Sequence, residues 1–216
     1  MTTRSTSATT SPRRRRARRG EGDQLREQII EAVERLLIEK GDEHAITIRA
    51  VAEAVGVTPP SVYLHFADKD ELLFAVCERN FAELDRVTQE AAARSDDPLE
   101  SLALRGTAYV RFGVEHAEQY RILFMGKPSR TPEGFDLERL GNAAAFGHLL
   151  EDVQRCIQAG LIEGNPLQVS LVLWVGVHGL TSLLISKPEF PWPPVDEIAQ
   201  ELCRALIHGL APQLAK

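Results

Sequence analysis

An all-α fold of about nine helices is what this sequence predicts, arranged as an N-terminal three-helix unit and a larger C-terminal helical bundle. Three observations carry that expectation. Apolar residues recur at helical spacing nearly everywhere, alternating strand patterns are absent, and glycine or proline falls where the periodicity breaks. With 44% apolar residues in 216, there is ample chain for one or two domains with real cores.

The first helix is expected from Asp23 to Lys40, burying Leu25, Ile29, Val33, Leu36 and Leu37, with Gly41 ending it. In the second, Ile48, Val51, Ala52 and Val55 stand at i, i+3, i+4 and i+7. Thr47 is its N-cap and Gly56 its left-handed C-terminal residue. A second N-cap, Thr58, follows after only Val57, and Pro59 takes the first helical position, where a missing N–H costs nothing. The Pro59-Pro60 pair also disfavours α geometry in the residue before each proline, so the helix start can slip by one position. This third helix is short. Val62 and Phe66 point inward, while Ser61, Tyr63, Leu64 and His65 point elsewhere. Asp68 opens the next helix, with Glu71 three residues on as an Asp-x-x-Glu capping box, and it continues through Leu72, Leu73, Val76, Phe81 and Leu84 toward Ala93.

Ser95-Asp96-Asp97-Pro98 is a break and a new start. A helix carrying Leu102, Tyr109, Val110, Phe112 and Gly113 leads into a turn region over His116 to Tyr120. Residues 127–134, with Pro128 and Pro132, read as a loop, followed by a helix from Phe135 to Ala159 that ends at Gly160. Gly164-Asn165-Pro166 punctuates again. The last two helices are expected from Leu167 to Ser186 and Val195 to Leu210, with Pro188 and Pro191-Trp192-Pro193-Pro194 between them.

Two short helices joined at a steep angle by a tight glycine turn form the unit that lays its second helix in a DNA major groove. The residues carrying it are Thr47, the turn Gly56-Val57-Thr58, the run Tyr63-Leu64-His65-Phe66, and Lys69. On these the stretch from Leu25 to Val76 resembles, without a gap, the N-terminal DNA-binding domain of the TetR family of bacterial transcriptional regulators. Pro59-Pro60 departs from that pattern. The resemblance implies that Tyr63, His65 and Lys69 contact backbone phosphates, joined by Thr47, Arg49 and Thr58, and that Pro60, Ser61 and Leu64 lie near base edges. The chemistry is consistent with this: hydroxyls and a lysine suit phosphate oxygens, whereas Pro or Leu can only touch something like a thymine methyl. No Arg, Asn or Gln sits on the short helix, so hydrogen-bonded readout is sparse and specificity leans on shape and spacing. The plainer readings are a half-buried Tyr63 closing the three-helix core and an ordinary surface His65.

Charge bears on the same point. The chain carries a formal −6, yet residues 1–20 hold seven arginines and no acid. Residues 21–80 hold six Lys/Arg against thirteen Asp/Glu. An acidic reading head repels phosphate unless its acids face away from the groove. A disordered arginine tail over residues 1–22 offsets that repulsion and adds salt-sensitive affinity; the bland reading is a solvated leader without a partner. Ser, Thr and Arg without acids is also transit-peptide composition, but the tail lacks an apolar h-region, and a cytoplasmic location is the simpler expectation. Cys77, Cys156 and Cys203 are odd in number and far apart, as reduced thiols are.

In the second part, Tyr109-Val110-Arg111-Phe112, the run Glu118 to Phe124 and Trp174-Val175-Gly176-Val177-His178-Gly179 look like one class of TetR C-terminal domain. That resemblance implies a homodimer enclosing a small-molecule pocket. The residues give part of this unaided. Gly164 to Ser186 contains no charged residue, long enough for a membrane span, but His178, Thr181, Ser182, two glycines and the lack of a flanking basic cluster argue against one. A helix apolar all round is buried all round. One face, Val172, Gly176, Gly179, Leu183 and Ser186, and the opposite one, Leu171, Trp174, His178, Thr181 and Ile185, must therefore meet the chain's own core and a second subunit, in an order the sequence leaves open. Dimerisation through residues 167–186 and 195–210 follows. Candidate pocket residues for a small hydrophobic effector are Tyr109, Phe112, Phe124, Phe146, Trp174 and His178, with core packing as the plainer reading of each and a hydrogen-bonded core histidine as that of His178.

Catalysis is not expected. His148, Asp152 and Cys156 share a helix face but span about 12 Å, too far for one metal ion. There is no Gly-x-Ser-x-Gly, phosphate loop or dinucleotide fingerprint. The reading is thus a helix-turn-helix domain over residues 23–68 and a ligand-binding and dimerisation domain over 69–216, with 69–93 as connecting helix, in a cofactor-free, ligand-responsive repressor that binds a pseudo-palindromic duplex as a homodimer. The alternative is a ligand-binding dimer that works through protein contacts rather than DNA.

Overall fold

The computed structural model describes residues 21–41, 46–124 and 142–210. The arginine-rich segment 1–20, the expected loop 127–134 and the first part of the helix expected from Phe135 lie outside the described residues. Within them the chain forms α1 (Glu21–Lys40), α2 (Ile48–Val55), α3 (Pro59–Tyr63), α4 (Lys69–Ala92), α5 (Pro98–Glu115), α6 (Ala117–Phe124), α7 (Asn142–Gln158), α8 (Pro166–Ser186) and α9 (Val195–Leu210). No strand occurs among the described residues.

The first three helices and the start of α4 share one core, with Ile29, Val33, Val51, Val62, Phe66, Leu72 and Val76 all buried. Farther along α4, Phe81 and Leu84 leave that core for a second one, shared with α5, α6, α8 and α9. A third cluster, around Leu102, Val153, Cys156, Ile162 and Leu173, ties α7 into the bundle. At about 1.5 Å per residue α4 is a rod of roughly 36 Å. It belongs to both the head and the body. The body is built around α5, which packs against α4, α7, α8 and α9.

Two expectations need correction here. His116 to Tyr120 is not a turn region. The chain breaks only at His116 (φ −119°, ψ 48°), whose carbonyl accepts from Tyr120 N–H at 2.9 Å, and α6 begins at once. The cause is tertiary: Tyr120 is fully buried against α5 and α8, which anchors a helix too short to announce itself. Nor is α8 buried all round. Its inner side, including Val169, Leu173, Val177, Leu180, Thr181 and Leu184, is buried, whereas Leu171 (40% exposed), Val172 (48%), Val175 (62%) and Leu183 (49%) form an apolar strip facing outward. Of the two faces read from the sequence, Leu171 lies on the outward side, and Gly176 lies against Leu206 of α9, where an added Cβ would stand 2.4 Å from Cδ1.

Candidate nucleic-acid interface and interior cavity

The turn between α2 and α3 is built by backbone chemistry. Thr47 Oγ1 accepts from Ala50 N–H at 3.1 Å, capping α2. At its other end Gly56 is left-handed (φ 76°), and paired bonds from Gly56 N–H to Glu53 O (3.1 Å) and Val57 N–H to Ala52 O (2.9 Å) close the helix in the Schellman pattern. Pro59 is the first residue of α3, inside the helix rather than before it. Thr58 occupies the N-cap position but its side chain makes no capping bond: Pro60 has no N–H to offer, and the Ser61 N–H donates to the Thr58 carbonyl at 2.8 Å. Its hydroxyl lies 2.9 Å from the Ser61 hydroxyl instead.

Five residues make α3, and they divide cleanly. Val62 and the following Phe66 are buried, while Tyr63 is 54% and Leu64 80% exposed. Tyr63 therefore projects outward rather than closing the core. Thr47, Arg49, Thr58 and Pro60 are exposed, and Ser61, His65 and Lys69 half-buried. Asp68 Oδ1 accepts from Glu71 N–H at 2.8 Å, and the Glu71 carboxylate reaches back to Ala67 N–H, one residue beyond the N-cap N–H that closes a capping box. Sequence reasoning passed over Arg26, whose guanidinium carbon lies 5.2 Å from the Phe66 ring centroid beside this surface. Glu27, Glu31 and Glu34 of α1 gather around Arg79 of α4 at 3.6 to 3.8 Å, so that part of the head's acidic charge is partnered within the head.

In the body, a cavity of about 60 Å³ opens among α4 to α9. Of the sequence candidates Tyr109, Phe124, Phe146 and Trp174 line it. Their rings form a chain, with Phe146 6.3 Å from Trp174, and Trp174 6.5 Å from Phe124. Phe112 lies elsewhere, on a polar cleft with Glu34, Arg79, Asn80 and His116. His178 stands behind the wall, its Nδ1 accepting from Tyr120 Oη at 2.6 Å, with Tyr109 Oη 3.2 Å from both. Burial lowers the His178 pKa below its ordinary value and raises those of both tyrosines. Tyr120 stands in the run Glu118 to Phe124 that carries the C-terminal resemblance, but its pairing with His178 depends on α6, where the sequence predicts only a turn region.

The cavity's charged side chain was also missed. Arg105 of α5 lines it, 5% exposed, and donates through Nε to Asp152 Oδ2 at 2.6 Å and through Nη2 to Gln89 Oε1 at 2.8 Å. The available clue was an arginine between Leu102 and Tyr109 on an apolar face at i, i+3 and i+7. The three side chains weighed as metal ligands have separate partners or none. His148 faces Asp85 at 2.9 Å, Asp152 is bound by Arg105 and Arg155, and Cys156 is buried in the third cluster.

Residues 29–76 match the family described as bacterial regulatory proteins, tetR family, and residues 102–211 the tetracyclin repressor-like C-terminal domain. The chain is 32% identical over 111 residues to the HTH-type transcriptional activator FasR of Mycolicibacterium smegmatis, a stretch covering 51% of this chain and 50% of that one. It thus spans about half the length of this relative. Among solved structures, a Rhodococcus protein of unknown function superposes with a TM-score of 0.76 at 24% identity, over 87% of this chain and 96% of that one. A TetR family regulator from Marinobacter aquaeolei gives 0.69 at 22%, over 89% and 98%. At these identities the two structures speak to the fold.

Proposed function

This chain belongs to the TetR family of bacterial regulatory proteins, and we propose that it is a cytoplasmic, homodimeric, ligand-responsive repressor that grips a pseudo-palindromic duplex. The observation that carries this is α3 itself: a helix whose Val62 anchors it while Tyr63 and Leu64 are thrust into solvent. Tyr63 at the end of this five-residue helix and Leu64 at its C-cap are bulky and exposed, and add nothing to the core of the single chain.

On this reading Thr47, Arg49, Thr58, Tyr63, His65 and Lys69 hold phosphates, and Pro60, Ser61 and Leu64 approach base edges. The head is residues 23–68, and residues 69–216 carry the effector pocket and the dimer contact. Two elements link them. The helix α4 runs from the head's core to Leu84 and Thr88 on the cavity, and α6 sets Ile122 against the head while Phe124 lines the cavity. A ligand that repacks Phe124 therefore bears on where the head sits, and it releases DNA by binding better to a state with the wrong spacing of heads.

The test is binding of the full chain to duplexes selected from a random pool, measured across salt concentrations. A log–log slope of about −0.9 per phosphate neutralised is expected, with Lys69→Ala making it shallower by about one such step and weakening all sequences alike. A slope near zero favours the protein-contact alternative. A Lys69→Ala variant with altered preference at one base position removes Lys69 from the phosphate set.

A further inference from the structure

Taking the cavity as the effector site, we infer that it is built for an apolar molecule carrying a carboxylate, whose oxygen is received by Nη1 of Arg105.

Arg105 is an unusual wall for a greasy cavity. Its side chain is 6% exposed, and the guanidinium is held in place at two of its three nitrogens, by Asp152 and Gln89. The third, Nη1, is buried and has no partner. A buried donor left unmade carries its full desolvation penalty, and native proteins rarely leave one without a reason. An acceptor atom supplied from the cavity that Arg105 lines would remove that penalty, and the bonds to Asp152 and Gln89 already hold the planar guanidinium in place.

The rest of the wall offers little competition. Thr88 donates its hydroxyl to the Asp85 carbonyl at 3.0 Å, and the Tyr109 hydroxyl is engaged with Tyr120 and His178. The remaining lining is chiefly aliphatic and aromatic, with Leu84, Phe124, Phe146, Leu149 and Leu173 among it. No acid lines the cavity among the described residues.

Charge then selects the acceptor. Asp152 is shared between Arg105 and the largely exposed Arg155, so two guanidinium groups divide one carboxylate. The cluster is one positive charge in excess. A carboxylate restores balance where charge-assisted hydrogen bonds are strongest, a neutral amide gains a hydrogen bond without the charge, and an amine is repelled. Head-group recognition at Arg105 leaves the apolar tail to the ring chain Phe124, Trp174 and Phe146.

The experiment is calorimetric titration of the full-length protein with octanoate, octanamide and octylamine, three probes alike except in the head group. Octanoate is expected to bind on the order of tenfold more tightly than octanamide, and octylamine more weakly than either. Arg105→Ala alone leaves the buried Asp152 carboxylate with only the largely exposed Arg155, so the informative variant is the double one, R105Q/D152N, which keeps a neutral hydrogen-bonding pair. Folding is checked by circular dichroism. In it the preference for octanoate over octanamide should vanish while octanamide binding is retained. No octanoate binding by the wild type, equal or tighter binding of octylamine, or a carboxylate preference that survives in the folded double variant each overturns the assignment. If the double variant does not fold, the wild-type order of the three head groups decides alone. Titration is read without DNA, so octanoate binding that leaves every selected duplex unaffected counts against the regulatory reading and for the subsite.

Discussion

At Nδ1 of His178 two tyrosine hydroxyls converge. Tyr120 Oη lies 2.6 Å from it and Tyr109 Oη 3.2 Å. Burial already lowers the His178 pKa from its ordinary 6.5. The sign follows from linkage: the unfolded chain takes up this proton more readily than the folded one, so its binding favours unfolding. The His178 contribution is intact above pH 6.5 and is lost as pH falls below that value toward the folded pKa. We predict that melting temperature declines with falling pH in this range more steeply in the wild type than in His178→Gln, which keeps an acceptor but does not titrate. Paired thermal melts check it, and subtracting the two curves removes the other histidines. A variant as pH-sensitive as the wild type would show that the trio does not govern this behaviour. Only part of this geometry is legible in the sequence, where a hydrogen-bonded core histidine is the plainer reading of His178. The sequence supplied a histidine on an apolar face, but its partner Tyr120 is eleven residues from Tyr109 and fifty-eight from His178 in the chain.

Close packing of α5 against α6 and α8 rests on Gly113. A Cβ there would stand 2.3 Å from Thr181 Cγ2 and 2.8 Å from Tyr120 Cδ2. Thr181 has little freedom to yield, since its hydroxyl is tied to Val177 O at 2.8 Å and fixes the rotamer that points the methyl at α5. Alanine adds helix propensity of about 1 kcal/mol over glycine, but overpacking of this kind costs about 1–3 kcal/mol and more when the neighbour is locked. Gly113→Ala should therefore be destabilising in chemical denaturation, and a neutral or stabilising result would mean that the helices part easily. What could be read in advance at this scale was whatever local chemistry dictates. The Thr47 cap, the left-handed Gly56, the proline at the first position of α3 and the bounds of α9 depend on a few adjacent residues. The beginning of α6 and the orientation of α8 do not. Tyr120 creates the first by its tertiary burial, and the uniform hydropathy of α8 hid the second until its neighbours were in place.

For the whole molecule the outward strip of α8 is decisive. Leu171, Val172, Val175 and Leu183 expose 40–62% of their surface on one side of a helix without a charged residue. Contiguous apolar surface of that kind is a liability in a lone chain and an asset in a symmetric interface, where the same patch meets itself. On that strip Gly179 has nothing within 4 Å of a built Cβ, leaving room for a partner helix to come close. Pairing through α8 and α9 would also set the two heads, and two α3 helices serve one duplex only if they meet grooves about 34–36 Å apart. Val175, the most exposed of the strip, is the place to break it. Val175→Glu leaves the subunit's own core untouched but, if this strip is the two-fold contact, would bury two unpaired carboxylates there, and burying an unpaired charge costs several kcal/mol. We predict dimerisation weakened at least about a hundredfold, seen by ultracentrifugation, with the helical circular dichroism spectrum retained. Affinity for a full pseudo-palindrome should fall with it, while binding to a single half-site stays as it was, because α3 has not been altered. A Val175→Glu protein that remains dimeric would place the subunit contact on some other face and leave the spacing of the two heads without an account.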